Sequence, residues 1–185
     1  IKQVREFSKF DLKIRLPNKK NKLIKNFKIP LLGIHNIKNS VAAVALALTV
    51  GLPINNIKKG LKNFKGVQRR FNKIFSYNNI DFYDDYAHHP TEINSILEGV
   101  KNVNPKRKII SIFEPHRYSR VISLKDEFSK CFKKSSLVIM CPLFAAGEKR
   151  NFKYNTIKFA NLIAKNSSTQ VIIVKDELNL IKYLK

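Results

Sequence analysis

Lys108-Ile109-Ile110-Ser111-Ile112-Phe113, running straight into Glu114-Pro115-His116-Arg117-Tyr118-Ser119-Arg120, is the stretch that decides the fold. A short run of β-branched and aromatic residues that stops at proline and charge reads as a strand buried on both faces. Downstream, Leu124 to Lys133 reads as a helix and Leu137 to Cys141 as a strand. Asn155 to Lys165 follows as a helix capped at Asn155 or Thr156, then Val171 to Val174 as a strand and Glu177 to Leu184 as a last helix. Upstream, Pro90 opens a helix to about Val103, with Thr91 and Glu92 in its first turn. Before it stand two strands, Phe71 to Ser76 and Ile80 to Asp84, joined by an Asn78-Asn79 turn. From Ile80 onward the order is β-α-β-α-β-α-β-α. That alternation predicts an α/β, Rossmann-like domain, a mostly parallel sheet with helices on both faces.

Ahead of Gly66 the pattern is different. Phe10 to Leu16 and Lys22 to Ile29 alternate as strands around an Asn18-Lys19-Lys20-Asn21 turn. A helix from about His35 to Val50 carries an Ala-rich stretch, Val41 to Leu48, suited to close packing on a sheet. Gly51 stops it in the left-handed C-cap position. Pro53 opens a second helix to about Phe64, and Gly66 ends that one. The boundary falls there: residues 1–66 read as the tail of one domain and residues 67–185 as a complete second one.

The bulk numbers exclude several classes. With 185 residues, 44% of them hydrophobic, the chain has room for a packed core. Two cysteines, Cys131 and Cys141, have no metal-ligand spacing, which points to a reduced, cytoplasmic setting. No apolar run reaches the roughly 18 residues of a membrane span. The start at Ile1, without signal-peptide features, reads as the middle of a longer protein. The net charge of +23 raises an alternative function, a basic Rossmann-like module for nucleic acid. Against it, the lysines are scattered, and arginine, the better reader of bases, is scarce beside lysine.

Ligands of open α/β sheets bind beyond the carboxyl ends of the strands. Three polar loops are expected there, on one edge of one sheet: Asp84 to Pro90, Glu114 to Arg120, and Pro142 to Arg150. Three of the four histidines, His88, His89 and His116, lie in the first two. Asp84 and Asp85 can meet ribose hydroxyls or a metal-bound water. Arg117 and Arg120 can hold carboxylate or phosphate in bidentate fashion. The blander reading makes Pro90 and Asp84 caps and lets the histidines satisfy loop backbone. Zinc on Asp85, His88, His89 and His116 is a rival with little support, because adjacent histidines diverge and no cysteine cluster accompanies them; no metal ligand is assigned. Asn36 and Asn39, on one face of a helix start, suit the donor and acceptor edge of adenine, or are ordinary caps. Arg69 and Arg70 sit at the domain junction, where they can hold phosphates or pair with carboxylates.

These motifs resemble, in order, those of UDP-N-acetylmuramate–L-alanine ligases: Gly33-x-His35-Asn36-x-x-Asn39, Gly66-Val-x-Arg69-Arg70-Phe71, Asp84-Asp-Tyr-Ala-His-His-Pro-Thr-Glu92, Pro115-His-Arg-Tyr-Ser-Arg120 and Ala146-Gly-Glu148. The resemblance runs from about Gly33 to the end, and its most specific elements are the loops His88-His89-Pro90-Thr91-Glu92 and His116-Arg117-Tyr118-Ser119-Arg120. It implies a three-domain enzyme of peptidoglycan synthesis, and so of cell-wall biogenesis, cell shape and division. This chain would be the end of the central ATP-binding domain and all of the C-terminal one. In that family ATP, with Mg²⁺, activates the lactyl carboxylate of UDP-N-acetylmuramate as an acyl phosphate, and L-alanine attacks it. By resemblance, Asn36 and Asn39 hold adenine with His35 near the nucleotide, Asp84 meets the ribose, and Arg69 or Arg70 meets the phosphates. Tyr86, His88, His116, Arg117 and Arg120 surround the alanine and the muramyl carboxylate; His88, Arg117 and Arg120 are the catalytic candidates. The sequence departs from the family at Glu114, where Gln is usual, at Val121 (Thr), at Pro142 (an acidic residue) and at Phe144 (Tyr). It holds no Gly-x-x-Gly-Lys-Thr/Ser phosphate loop and no UDP-binding domain, so the rest of the ligase is the expected partner and these 185 residues alone are expected to be inactive.

Overall fold

A computed structural model of the chain describes residues 1–4, 7–15, 21–67 and 69–184, with only the backbone at 3 and 4. Two units emerge, Ile1–Tyr86 with Asn102–Pro105, and Ala87–Lys101 with Lys106–Lys185.

The first unit holds an antiparallel sheet of β1 (Lys2–Val4), β2 (Phe7–Ile14) and β3 (Lys22–Ile29) in that order. β2 begins at Phe7, earlier than alternation alone placed it, because that end pairs with β1 through Val4 and Phe7. Pairing with β3 slips between Phe10 and Leu12. There Asn26 takes a left-handed φ of 64° and its N–H donates to Asp11 Oδ1 at 2.8 Å, so the bulge is held by a side chain. Residues 18–20 of the expected turn lie outside the described residues. Phe10, Ile24, Phe27 and Ile29 of the sheet pack against Ile37 and Val44 of α1 (Ile34–Thr49) and Ile57 of α2 (Ile54–Asn63).

α1 ends as the glycine predicts. Gly51 sits at φ 79°, its N–H donates to Leu48 O at 3.1 Å, and Leu52 N–H donates to Ala47 O at 3.0 Å. That pair of bonds is a Schellman ending, which satisfies carbonyls the helix leaves open. The Ala-rich stretch differs from expectation: Val44 alone of residues 41–48 is buried, and Val41, Ala45 and Leu46 are exposed. Helical period lets only one stripe face a three-stranded sheet, and Ile37, Ser40 and Val44 occupy it.

A hairpin, β4 (Asn72–Tyr77) and β5 (Ile80–Asp84), closes this unit. Asn78 and Asn79 take φ of 46° and 61°, the left-handed pair that a two-residue type I′ turn needs. Here the structure corrects the sequence reading. β5 was expected to open the parallel sheet, but its only strand partner among the described residues is β4, and that pairing is antiparallel. The tight turn satisfies its backbone locally, and its side chains are exposed or half-buried rather than covered on both faces.

The second unit is the α/β domain. α3 (Pro90–Val103) precedes β6 (Ile110–Phe113), then come α4 (Tyr118–Ser123), α5 (Lys125–Lys130), β7 (Leu137–Met140), α6 (Thr156–Ser167), β8 (Gln170–Ile173) and α7 (Glu177–Leu184). The strands lie in the order β6-β7-β8, all parallel. Val138, Ile139 and Met140 of the middle strand are fully buried, as a strand covered by helices requires. Phe113, Phe128, Phe132, Phe159 and Ile163 fill the space around them. Val121, one of the departures from the family pattern, lies in this core at 1% exposure, which explains an apolar residue there.

Buried hydroxyls join the helices behind the sheet. Ser167 Oγ donates to Ser129 O at 2.7 Å and accepts from Phe132 N–H at 3.2 Å. Thr169 Oγ1 donates to Ser135 O at 2.9 Å. The helix expected from Leu124 to Lys133 is the shorter α5, and α4 just before it is made from residues read as loop; the two meet at Leu124. Asn155 caps α6 by accepting from Lys158 N–H at 2.9 Å. Among the described residues no helix is long and apolar enough to cross a membrane.

Candidate functional site

Three groups of candidate residues are built by different local devices. The first sits at the start of α1. Gly33 precedes the helix at φ 94°, ψ 142°, a region essentially closed to residues with a side chain. A Cβ there would lie 2.6 Å from Cε1 and 2.8 Å from Nδ1 of His35, so the imidazole lies directly on the glycine. Asn36 is no N-cap: its Nδ2 donates backward to Leu32 O at 2.7 Å, which fixes the carboxamide, while Asn39 is exposed one turn on.

The second group surrounds the foot of the β4–β5 hairpin. Arg69 and Phe71 both take left-handed backbone, φ 56° and 52°. The end of β5 holds them there. Tyr86 N–H donates to Arg69 O at 2.7 Å, and Asp85 Oδ2 accepts from Phe71 N–H at 2.6 Å. Arg69 Nε lies 3.6 Å from Asp84 Oδ2, and its guanidinium stands over the Tyr86 ring at 4.9 Å. Asp84 and Arg69 are therefore partners of each other in this structure. Both are substantially exposed, and surface pairs of this kind are worth about 0–1 kcal/mol. Arg70 is exposed beside them. Gln68, within the same motif, lies outside the described residues.

The third group belongs to the second unit. His89 and Glu92 form a capping box at the head of α3. Glu92 Oε2 accepts from the His88 and His89 N–H groups at 3.1 and 3.3 Å, and His89 Nδ1 accepts from Thr91 N–H at 3.3 Å. His89 is thus a cap, and the His88 ring lies between two neighbours, its Nδ1 3.9 Å from Glu92 Oε2 and its centroid 6.2 Å from that of His116. The loops after β6 and β7 zip together past the sheet: Phe144 N–H donates to Pro115 O and Arg117 N–H to Phe144 O, both at 2.8 Å. The backbone of Phe144 makes these bonds, so phenylalanine serves where the family pattern has tyrosine.

Arg120 Nη1 lies 3.3 Å from His116 Nδ1. A guanidinium only donates, so Nδ1 accepts and the proton of neutral His116 sits on Nε2. Burial, followed by the charges of Arg120 and Arg117, holds the imidazole below its ordinary pKa, with Glu114 opposing them. Glu148 Oε2 accepts from Ser119 N–H at 3.0 Å, and its Oε1 accepts from the Ser119 hydroxyl. Those bonds, Ser119 Oγ first, hold the Glu148 carboxyl below its ordinary range. His88, His116, Arg117 and Arg120 thus lie at the carboxyl end of the parallel sheet, a cationic, partly exposed cluster that suits a carboxylate or phosphate. Only two of the three polar loops leave this sheet; the loop 84–90 passes from one unit to the other.

The description Mur ligase, glutamate ligase domain matches residues 69–185. The chain belongs to the Mur ligase family. It is 56% identical over 187 residues to a UDP-N-acetylmuramate–L-alanine ligase of Pelagibacter ubique (strain HTCC1062), which takes in 100% of this chain and 40% of that protein. A ligase of the same name from Rickettsia felis is 44% identical over 162 residues, covering 86% of this chain and 34% of its own length. The fold is similar to that of the UDP-N-acetylmuramate-alanine ligase of Thermotoga maritima, with a TM-score of 0.70 at 26% identity over 89% of this chain and 36% of that one. This Mur ligase chain spans about 40% of the length of the first of these curated relatives. None of these findings favours the nucleic-acid alternative.

Within the Mur ligase chain, the structure assembles His88, His116, Arg117 and Arg120 in one unit and Arg69, Arg70, Asp84 and Tyr86 in the other, with His35, Asn36 and Asn39 at α1 of that same other unit. Among the described residues no group of three or more His, Cys, Asp or Glu side chains forms a metal site. Sequence reasoning gave no role to Ser119, Glu148 or Glu92, and read Asp85 as a ribose or metal contact where the structure has it clasp the Phe71 N–H; these are the residues that hold the loops. The one legible signal was Thr91-Glu92 after His-His-Pro, a capping-box spacing; Ser119 and Glu148 stand 29 positions apart, beyond any local pattern.

Proposed function

We propose that the protein carrying this chain is an ATP-dependent UDP-N-acetylmuramate–L-alanine ligase of peptidoglycan synthesis, acting in the cytoplasm. In the reaction, the lactyl carboxylate takes the γ-phosphoryl group of ATP, giving an acyl phosphate and ADP. The amine of L-alanine then attacks the acyl carbon, and phosphate leaves as the amide forms. Such catalysis is chiefly positioning and neutralisation of charge. Residues 67–185 are the C-terminal Rossmann-like Mur ligase domain in this reading, and residues 1–66 the end of the central ATP-binding domain.

The observation that carries the proposal is the cationic cluster beyond β6. Arg117 and Arg120 supply forked donors for the carboxylates of alanine and of the muramyl lactyl group. His116, whose Nδ1 accepts from Arg120, and His88 beside it supply polar contacts. Tyr86 is assigned to the same substrates. For the nucleotide, the chain offers the fixed Asn36 carboxamide and Asn39 for adenine, His35 held against Gly33, Asp84 for the ribose, and Arg69 or Arg70 for phosphates. The close approach of His35 to Gly33 fixes the imidazole at the start of α1, which supports a nucleotide contact there. Bound Mg²⁺ would neutralise phosphate charge, but the described residues supply no cluster to hold it, so no ligand is assigned on this chain. Two unpaired cysteines, Cys131 buried with its thiol pushed up to about 12 by burial, agree with a reducing compartment.

Phosphate release by the intact protein tests this. It should require ATP, UDP-N-acetylmuramate and L-alanine together. Residues 1–185 alone, whose sequence has no phosphate loop, should release none; alanine-dependent ATP hydrolysis by that piece would overturn the assignment of roles.

A further inference from the structure

We propose that Glu148 is a positioning residue: delivered by the loop after β7, its carboxylate caps α4 and so fixes the backbone from which Arg117 and Arg120 reach out. The substrates named below rest on the function just proposed.

A helix start needs acceptors for its first N–H groups, normally supplied by Ser, Thr, Asp or Asn at the N-cap. α4 has Arg117 there, with no side-chain cap of its own. Arg117 also takes φ 68°, ψ 128°, a conformation a residue with a Cβ keeps only when its surroundings enforce it. Two contacts enforce it. One is the backbone zip to Phe144, at 2.8 Å. The other is Glu148, whose two oxygens take the Ser119 N–H and hydroxyl.

The loop is shaped to deliver that carboxylate. Ala146 and Gly147 take φ of 50° and 85°, and Glu148 N–H donates to Ala145 O at 3.1 Å. This is a type I′ turn, and it holds a non-glycine residue in left-handed backbone. A carboxylate whose two oxygens are both occupied by Ser119 is better explained as a strut than as a substrate contact. Arg120 stands one turn into the same helix, so the strut also sets its reach to His116.

The test uses the intact protein with Glu148→Ala, Glu148→Gln and Ser119→Ala, read first by NMR titration of His116. The groups acting on His116 are Arg120, Arg117, His88 and Glu114. Removing a nearby negative charge would by itself lower the His116 midpoint. If the strut holds the loop, Glu148→Ala instead raises it toward the ordinary 6.5, because Arg120 moves off. Glutamine can accept from the Ser119 N–H and donate to the hydroxyl, so Glu148→Gln keeps the loop and loses only the charge: its midpoint should lie at or slightly below the wild-type value and never rise. The second readout is kinetic. Glu148→Ala should raise the KM for L-alanine and UDP-N-acetylmuramate roughly 10- to 100-fold, as misplacement by an ångström does, and leave that for ATP unchanged. Should Glu148→Ala not fold, Ser119→Ala must move both readouts in the same directions by less. A His116 midpoint that stays or falls in both truncations overturns the proposal, as does Glu148→Gln matching Glu148→Ala in KM. A raised midpoint in a protein without ligase activity leaves the strut standing and removes the substrate assignment instead.

Discussion

Gly33→Ala has a magnitude that follows from the structure. Gly33 stands at φ 94°, ψ 142°, where an L residue costs about 1–3 kcal/mol. Alanine regains about 0.4–1 kcal/mol of this by restricting the unfolded chain. Its Cβ would also meet His35 at 2.6 Å, well inside contact distance, so the imidazole must swing away. An off-rotamer side chain adds about 0.5–1.5 kcal/mol. The expected loss is about 0.5–4 kcal/mol. Gly51→Ala is the internal control, because Gly51 has φ 79° but nothing within 4 Å of its Cβ position. It bears the backbone cost alone, about 1 kcal/mol. Urea unfolding followed by far-UV circular dichroism measures both. Gly33→Ala should exceed Gly51→Ala by about 1 kcal/mol, and His35→Ala in the same chain should recover that difference, since the clash is then gone. ADP affinity of the intact protein should fall in Gly33→Ala and hold in Gly51→Ala. If the two glycine variants lose equal stability, or if His35→Ala recovers nothing, the close approach of His35 to Gly33 is not a real constraint and its nucleotide role loses its support.

Three further outcomes follow from the second unit. Ser167→Ala strands the buried Phe132 N–H and Ser129 carbonyl, each costing about 1–3 kcal/mol, so a loss of about 2–6 kcal/mol is expected in the same denaturant assay. On acidification, His116 and Glu148 act in sequence. Both have folded pKa values below their ordinary 6.5 and 4.5, so the stability each contributes is present above that ordinary value and is lost as pH falls through the folded one. Thermal melts should therefore drop first below about pH 6.5 and again below about pH 4.5, and a melting temperature flat across that range would contradict it. Arg120→Gln removes the largest single charge acting on His116, so the His116 midpoint should rise in an NMR titration while KM for the carboxylate substrates rises with it.

Where local chemistry governs, the sequence was a good guide. Gly51, Asn78-Asn79, Pro90 and Asn155 each marked a turn or cap that the structure contains, because left-handed backbone and unpaired helix ends admit few residue types. The apolar runs at 110–113, 137–140 and 170–173 became the parallel sheet for the same reason of composition. Strand partners were less legible. Nothing in Ile80 to Asp84 distinguishes a strand that joins a parallel sheet from one satisfied by its own hairpin. The candidate site divides along the same line. Arg117, Arg120 and the histidines announced themselves by residue type. What holds them did not, since the Ser119–Glu148 bond, the Arg117–Phe144 zip and the clasp of Asp85 on Phe71 join residues 14 to 29 positions apart. The helix at Tyr118 was missed for that reason, its cap being supplied from another loop.

In the proposed function, His88, His116, Arg117 and Arg120 serve addition of alanine to a muramyl carboxylate. The direct measurement is product formation by the intact protein, followed by mass spectrometry, with ATP, UDP-N-acetylmuramate and either L-alanine or D-glutamate as the amino acid. An amide product is expected with L-alanine and none with D-glutamate, and that product should be lost in Arg120→Gln. A product with D-glutamate, or none with either amino acid, contradicts it.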